Sequence, residues 1–212
     1  MVFRSDYPYT KDQLATGTVA YLYPKIDSTS LEAERFMAQA AREDQPISAC
    51  GVVFVSEIQA HGQGRFDRGW ISEKGGLYYT LIIPYPDIKS ETEADIGNRA
   101  FGIGNLTRQV LISFAALPIA MKRPNDLLLE GKKLGGILTK VTKVLDVPVL
   151  SIGIGINVNQ TAFTDDLLLF ATSIYRHTGE FLPIPDLIDK LTQALLFSVQ
   201  TNTWDVQPPD SE

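Results

Sequence analysis

The residues best suited to chemistry lie in the segment Gly51–Pro84, where two apolar runs flank a stretch rich in glycine and charge. This stretch contains Gly62, Gly64, Arg65 and Arg68. Glycine lets a backbone approach a ligand closely, and the planar guanidinium group of arginine suits carboxylates and phosphates. The pattern therefore indicates a ligand-handling loop. An ordinary hairpin connection with solvated charges also fits these residues when the loop is considered alone.

A second candidate is Lys122, which ends a short apolar run and precedes the turn-forming residues Pro124, Asn125 and Asp126. A lysine at a strand end has a fixed position, and its ammonium group can neutralise negative charge that develops on a phosphate. Asn125 and Asp126 can orient a second group or a metal-bound phosphate. A solvated lysine beside an Asx-type turn is the simpler alternative. The chain has no GxxxxGK[ST] motif, so a nucleotide site must be of another kind.

The third candidate is the run of hydroxyl residues Ser28, Thr29 and Ser30, which stands where a helix begins. We expect Thr29 and Glu32 to form a capping box, in which each side chain binds the backbone amide of the other residue. Spare hydroxyl groups and backbone donors at a helix N-terminus can also hold a polar group of a ligand. Capping alone explains the same residues.

These candidates must be positioned by a mixture of strands and helices. Short β-branched or aromatic runs predict strands at Val19–Tyr23, Gly51–Val55, Leu77–Ile83 and Ile119–Lys122, and three more strands follow with turns at Glu130-Gly131 and Leu145-Asp146. Apolar residues at helical spacing predict a helix that begins near Thr29 and helices at Glu91–Leu117 and Pro185–Gln200. Runs of strands beside isolated helices favour an α+β fold with a mixed or antiparallel sheet packed against α-helices.

Composition excludes several classes of protein. The 212 residues, of which 44% are hydrophobic, can bury a full core, and the formal net charge of -6 provides no overall basic field for nucleic acid. No apolar run approaches the length of a membrane span, and no signal peptide is visible. The single cysteine, Cys50, cannot form an intrachain disulfide, and we expect it to be a small buried residue. We therefore expect a cytoplasmic protein that binds neither nucleic acid nor membrane.

Four motifs in this order resemble the catalytic domain of biotin protein ligases, the biotin–acetyl-CoA-carboxylase ligases: STS at a helix start, IQAHGQGRFDRGW, KRPNDLLLEGKKLGGIL and GIGINVN. The resemblance covers about Val19 to Gln200, and the combination is specific although each motif is weak. It implies a mixed β-sheet packed against α-helices, of the kind shared with class II aminoacyl-tRNA synthetases. The catalytic domain then spans residues 18–200, and the polar residues on either side predict a loosely held lead-in at 1–17 and a polar tail at 201–212.

The resemblance implies a ligation in two steps. The carboxylate of biotin attacks the α-phosphate of ATP, with Mg²⁺, and gives biotinyl-5′-AMP and pyrophosphate. A lysine amine on the biotin carboxyl carrier domain of a biotin-dependent carboxylase, such as acetyl-CoA carboxylase, then displaces AMP. Two anions must be brought together and the reactive anhydride kept from water, and the glycine- and arginine-rich loop is implied to cover the intermediate.

The family motifs also imply roles for single residues. Lys122 and Arg65 are the implied catalytic residues, Trp70 is placed near the base of the loop, and Asp126 would order neighbouring side chains or a metal-bound group; no residue is assigned as a metal ligand. The implied biotin-binding residues are Ser28, Thr29, Ser30, Gln59, Gly62, Gly64, Arg65 and Lys122. The implied nucleotide-binding residues are Arg65, Arg68, Asn125, Lys133 and Asn157.

Three departures from the family motifs are visible. The family loop is usually GRGRxGR, whereas here Gln63 replaces the first arginine and Phe66 and Asp67 follow Arg65, which lowers the charge of the loop. Arg123 replaces the usual tryptophan of the KWPND motif, which changes packing or polarity there. STS replaces the more usual STN or STM, a mild change.

Only a short polar segment precedes the first predicted strand, so we expect a monofunctional ligase without the helix-turn-helix domain of family members that are also repressors. We also expect no small C-terminal β-barrel. Two alternatives stay open: a lipoate ligase or octanoyl transferase of the same fold, and a non-catalytic biotin-binding homodimer. The residues do not distinguish a monomer from a homodimer.

Overall fold

The computed structural model describes residues 2–85 and 92–203. The strands are β1 (Thr10–Gln13), β2 (Val19–Tyr23), β3 (Val52–Ser56), β4 (Gln59–Gln63), β5 (Gly69–Ser72), β6 (Leu77–Pro84), β7 (Ile119–Lys122), β8 (Asp126–Leu129), β9 (Lys132–Val144) and β10 (Val147–Ile156). The helices are α1 (Thr29–Arg42), α2 (Glu93–Ala115), α3 (Asp165–Leu168), α4 (Ile174–Thr178) and α5 (Ile184–Thr201), and a 3₁₀ turn spans Arg65–Asp67.

Eight of these strands form one sheet in the order β1-β2-β3-β6-β10-β9-β8-β7, and β4 and β5 form a separate ribbon. Strands β2 and β3 are parallel, because α1 carries the chain back between them, and the other pairs of the sheet are antiparallel. The sheet is therefore mixed, and the prediction of an α+β fold is confirmed.

The two faces of the sheet bury different helices. Val53 and Val55 of β3 belong to a core that contains residues of α2 and α5, whereas Val52 and Phe54 belong to a second core with α1. Successive side chains of a strand point to opposite faces, so a strand covered on both sides is apolar throughout. This explains why β3 reads as a continuous apolar run.

The predicted hairpin turns and helices are present. Both residues of the turns Glu130-Gly131 and Leu145-Asp146 have positive φ, and the turns join β8 to β9 and β9 to β10. The helix predicted at Pro185–Gln200 spans Ile184–Thr201, and the one predicted from Glu91, which lies outside the described residues, spans Glu93–Ala115. Within the described residues, no helix combines the length and apolarity needed to cross a membrane.

Three local predictions are wrong. The lead-in is not loosely held, because β1 pairs with β2 and Phe3 is buried with its ring 4.9 Å from that of Phe36. The α1 cap is Ser28, whose side chain accepts from the amide of Ser30, so Thr29 and Glu32 do not form the predicted capping box. Cys50 is exposed rather than buried.

Candidate functional site

A cavity of about 140 Å³ lies over the centre of the sheet on the face that carries α1. Its walls come from the first turn of α1, the β4–β5 ribbon and the middle of β9 and β10. The lining residues are Thr29, Ser30, Gln59, Gln63, Gly64, Arg65, Arg68, Gly69, Trp70, Tyr78, Tyr79, Asn125, Asp126, Lys133, Gly136, Ile137, Leu138, Gly153, Ile154 and Gly155.

One wall of the cavity is a connected set of polar side chains. The amide nitrogen and Oγ1 of Thr29 both donate to Gln59 Oε1, at 2.8 and 3.1 Å, and Gln59 Nε2 donates to Ser72 Oγ at 2.8 Å. Thr80 Oγ1 donates to Thr29 Oγ1 at 2.9 Å and lies 3.4 Å from Ser30 Oγ. These bonds fix the side-chain conformations of Thr29 and Gln59 and hold α1 against β4. The wall therefore presents donors and acceptors that are already oriented.

The floor of the cavity is made of glycines that allow close approach. A Cβ at Gly155 would lie 2.8 Å from the indole of Trp70, and one at Gly136 would lie 3.4 Å from the same ring. A Cβ at Gly153 would lie 3.3 Å from Ser30 Oγ. The glycines therefore let the indole and the start of α1 sit directly on the sheet. Trp70 Nε1 is buried with no hydrogen-bond partner among the described residues, so a ligand acceptor there would gain a donor.

The tip of the β4–β5 ribbon places two cations at the mouth of the cavity. The amide of Gly64 donates to Arg68 O at 2.7 Å, which closes the turn. The guanidinium groups of Arg65 and Arg68 lie 4.8 and 5.9 Å from the ring centroid of Phe66, which is 75% exposed and has a left-handed φ of 57°. In a chain of net charge -6, this mouth is a local site for an anion.

A larger cavity of about 850 Å³ adjoins the first. The two share Gly69, Trp70 and Lys133. Lys133 Nζ lies 5.2 Å from the Trp70 ring centroid and 2.8 Å from Asp126 Oδ1. This lysine therefore stands at the boundary of both cavities with a carboxylate beside it. Asn157 lines the larger cavity, and its Nδ2 donates to Thr172 O at 3.0 Å.

The structure brings together most of the residues that the sequence motifs indicated. Those that line the smaller cavity are Thr29, Ser30, Gln59, Gly64, Arg65, Arg68, Asn125 and Lys133. Asn125 also has a structural role, because its Nδ2 donates to Ile137 O at 2.7 Å and ties the start of β8 to β9. The contacts of these residues with any ligand stay predictions.

Three of the residues expected to bind biotin do not line the cavity. Ser28 is buried as the cap of α1, and Gly62 lies inside the ribbon, where a Cβ would come within 2.4 Å of Trp70 O. Lys122 is exposed at the end of β7, where its backbone pairs with that of Asp126. The neighbouring Arg123 stacks on Phe101 of α2, with 3.9 Å from guanidinium to ring centroid.

Sequence reasoning missed the glycine floor. No individual role was predicted for Gly136, Gly153 or Gly155. A signal was available, because the register counted back from the Leu145-Asp146 turn places Gly136 opposite Gly155. Glycines paired across two central strands indicate a hollow on the sheet surface.

The described residues contain no group of three or more acidic, histidine or cysteine side chains that could hold a metal ion by themselves. Asp126 is the carboxylate among the residues that line the smaller cavity. A single carboxylate together with phosphate oxygens is a set of ligands that suits Mg²⁺.

Comparison with known proteins places this site in context. A model described as the biotin/lipoate A/B protein ligase family matches residues 39–157. The bifunctional ligase/repressor BirA of Bacillus spizizenii is 36% identical over 133 residues, which are 61% of this chain and 40% of that protein. The biotin–[acetyl-CoA-carboxylase] ligase of Mycobacterium tuberculosis is 31% identical over 112 residues, 52% of this chain and 40% of that protein.

Among solved structures, the biotin protein ligase from Aquifex aeolicus in complex with biotin and ATP matches with a TM-score of 0.70 and 26% identity, over 86% of this chain and 70% of that chain. The chain spans less than half the length of the two relatives compared by sequence.

Proposed function

The chain belongs to the biotin/lipoate A/B protein ligase family, whose model matches more than half of its residues, and we propose that it joins biotin to a lysine of a carrier protein in an ATP-dependent reaction. The carrier is a biotin carboxyl carrier domain of a biotin-dependent carboxylase. The observation that carries the proposal is the meeting of two cavities at Trp70 and Lys133. A reaction between two small anionic substrates needs such a junction.

We assign the smaller cavity to biotin. The ring system of biotin carries a urea group with two N–H donors and one carbonyl acceptor. The polar wall of Thr29, Ser30 and Gln59 offers both acceptors and donors, already oriented by the bonds between them. The glycine floor accommodates the flat part of the ligand, and the carboxylate end then points toward Arg65 and Arg68 at the mouth.

We assign the larger cavity to the nucleotide. It is lined partly by apolar residues, including Trp70, Ala162 and Phe163, which suit a flat base, and by the buried amides of Asn157 and Gln160. Its boundary with the smaller cavity carries Lys133. The α-phosphate would therefore lie beside the carboxylate of biotin.

In the first step, a carboxylate oxygen of biotin forms a bond to the α-phosphorus of ATP, and the bond from that phosphorus to the bridging oxygen of pyrophosphate breaks. Negative charge grows on the phosphate oxygens, and Lys133, Arg65 and Arg68 are the cations placed to stabilise it. Magnesium would enter with ATP, neutralising its phosphates, and Asp126 is the carboxylate available to it.

In the second step, the amine of the carrier lysine attacks the acyl carbon of the anhydride, AMP leaves with the electron pair of the broken C–O bond, and the amine loses a proton. The mixed anhydride must be kept from water until the carrier arrives. The ribbon tip at Gly64–Arg68 covers the mouth of the smaller cavity, so we propose that it retains the intermediate.

We still propose a catalytic role for Lys122, now because of its position beside Asp126. Its side chain is exposed, but its backbone pairs with Asp126, whose carboxylate lines the cavity. The catalytic role requires the ammonium group of Lys122 to reach the cavity that Asp126 lines. Lys133 is the lysine already at the cavity.

Isothermal titration calorimetry with biotin and with lipoate tests the choice of substrate. We expect biotin to bind, and Gln59→Ala to weaken its binding roughly tenfold or more, because a partly buried hydrogen-bonding group is removed from the wall. Gln45→Ala, at an exposed position beyond α1, is the matched control and leaves binding unchanged. Binding of lipoate in place of biotin would move the assignment to lipoate or octanoyl transfer.

A further inference from the structure

The junction between β2 and α1 is organised by one side chain, Asp27. Its Oδ1 accepts from the amide of Ser28 at 2.6 Å, at the start of α1. Its backbone oxygen accepts from the amide of His61 at 2.8 Å, in β4. One residue therefore touches both elements that form the polar wall of the smaller cavity.

Arg35, in the second turn of α1, binds this carboxylate. Its Nη1 donates to Asp27 Oδ1 at 3.1 Å, and its Nη2 pairs with Oδ2. The Asp27 side chain is 13% exposed, so water screens the pair only partly. A two-pronged contact between arginine and carboxylate restricts both side chains to one geometry.

A second carboxylate, that of Glu32, also binds Arg35. Glu32 is fully buried, and its Oε2 accepts from Arg35 Nη1 at 2.6 Å. Its Oε1 accepts from Tyr23 Oη at 3.2 Å and from Ser5 Oγ. The guanidinium carbon also lies 5.6 Å from the ring centroid of Tyr7. A buried carboxylate is tolerated only with such partners, so the hydrogen-bonding groups of this cluster are already used within the cluster.

None of Asp27, Glu32 and Arg35 lines the smaller cavity, so they are not ligand contacts. They act next to it, because Thr29 follows Ser28 directly and donates to Gln59 Oε1. Ala60, the neighbour of Gln59, donates its amide to Ile26 O at 2.9 Å. Thr29 is thus one residue from the Ser28 amide, and Gln59 is two residues from the His61 amide, and both of these amides donate to Asp27.

We infer that Asp27 and Arg35 are positioning residues that hold Thr29 and Gln59 at the separation that the urea group of biotin requires. The inference rests on the proposed function, because biotin is the ligand assigned to that wall. Loss of the pair lets the start of α1 and the base of β4 move apart. Binding of biotin then weakens, while the chemistry of the bound substrates changes little.

Four variants test the inference by calorimetry with biotin, of which one is a control. Asp27→Asn keeps an oxygen for the Ser28 amide but removes the charge that holds Arg35. The double variant E32Q/R35M removes Arg35 from Asp27 and also removes the charge of Glu32, so that the buried Glu32 is not left charged and unpaired. Lys140→Met is the control, because it breaks the α1 ion pair Lys140–Glu34, 2.7 Å long, away from the junction.

We expect the first two variants to raise the dissociation constant for biotin about tenfold, the value of one charge-assisted hydrogen bond, and the control to leave it unchanged. The rate of pyrophosphate release at saturating biotin should stay near that of the wild type. The fourth variant, Arg35→Lys, should retain only part of the affinity for biotin, because an ammonium group cannot bind both carboxylate oxygens of Asp27 in the paired geometry of a guanidinium. Equal biotin affinity in all variants, or a loss of thermal stability with no loss of affinity, would overturn the inference.

Hydrogen exchange separates this inference from the proposed function. The amides of Thr29 and His61 should exchange faster in Asp27→Asn than in the wild type, with or without biotin. If the wild type binds no biotin, the proposed substrate is wrong. Unchanged hydrogen exchange at both amides in Asp27→Asn would reject the positioning role, whether or not biotin binds.

Discussion

Adding one methyl group at Gly155 should disturb both cavities at once. A Cβ there would lie 2.8 Å from Trp70 Cε2 and Nε1, whereas ordinary contacts begin near 3.4 Å. The indole must therefore move by about 0.6 Å or more, or the strand must bend. Overpacking of this kind typically costs about 1–3 kcal/mol. Because Trp70 forms the boundary between the cavities, we expect Gly155→Ala to weaken binding of both biotin and ATP about tenfold.

The measurement is a double-mutant cycle. Free energies of unfolding in urea and calorimetric affinities are determined for Gly155→Ala, Trp70→Leu and the double variant. Removing the indole removes the clash, so Gly155→Ala should be much less harmful in the Trp70→Leu background, with a coupling of about 1 kcal/mol or more. Gly97→Ala on α2 is the control, since its Cβ would lie 4.0 Å from Pro124 and meet no clash. Additive effects within about 0.5 kcal/mol would refute the reasoning.

Three further predictions concern single groups. Lys122→Ala should abolish adenylate formation in single-turnover assays while the circular dichroism spectrum is unchanged, and undiminished activity would remove Lys122 from the mechanism and leave Lys133 as the lysine of the site. Arg65→Ala should increase the release of free biotinyl-5′-AMP into solution, because one of the two guanidinium groups at the mouth is lost; unchanged release would reject the covering role of the ribbon tip. Burial alone would raise the pKa of Asp27, but hydrogen bonds from Arg35 and the Ser28 amide, with the charge of Arg35, hold it below its ordinary value of 3.8. The stabilisation is therefore present above about pH 4 and is lost as the pH falls below it, so the urea midpoint should drop more steeply on acidification in the wild type than in Asp27→Asn.

Regular elements could be predicted from the sequence because local patterns determine them. Buried strands such as β3 and β6 are apolar and β-branched, and the turns Glu130-Gly131 and Leu145-Asp146 interrupt the apolar runs on either side. Local patterns do not say which of three adjacent hydroxyl residues caps α1. Ser28 caps α1, whereas the amide of Thr29 binds Gln59, thirty residues away in the chain.

The parts of the structure that could not be predicted depend on contacts between residues distant in sequence. Phe3 is buried because it meets Phe36 and Phe54 across the second core, although the polar run Arg4-Ser5-Asp6 follows it in sequence. The glycine floor depends on the register between β9 and β10. Lys122 lies in the KRPND motif, but its side chain is exposed, so a position in a motif does not determine where a long side chain lies. Conversely, Arg65 and Arg68 were indicated by glycine and charge in an apolar setting, and Gln59 and Lys133 were indicated by the family motifs; all four line the smaller cavity.

The most direct test of the account is pyrophosphate release from ATP by the purified protein, measured with and without biotin. We predict release only when biotin is present, and transfer of biotin to a lysine of an added biotin carboxyl carrier domain, detected by mass spectrometry. Release that does not depend on biotin, or no release with biotin bound, would contradict the proposal that the two cavities join a carboxylate to a nucleotide.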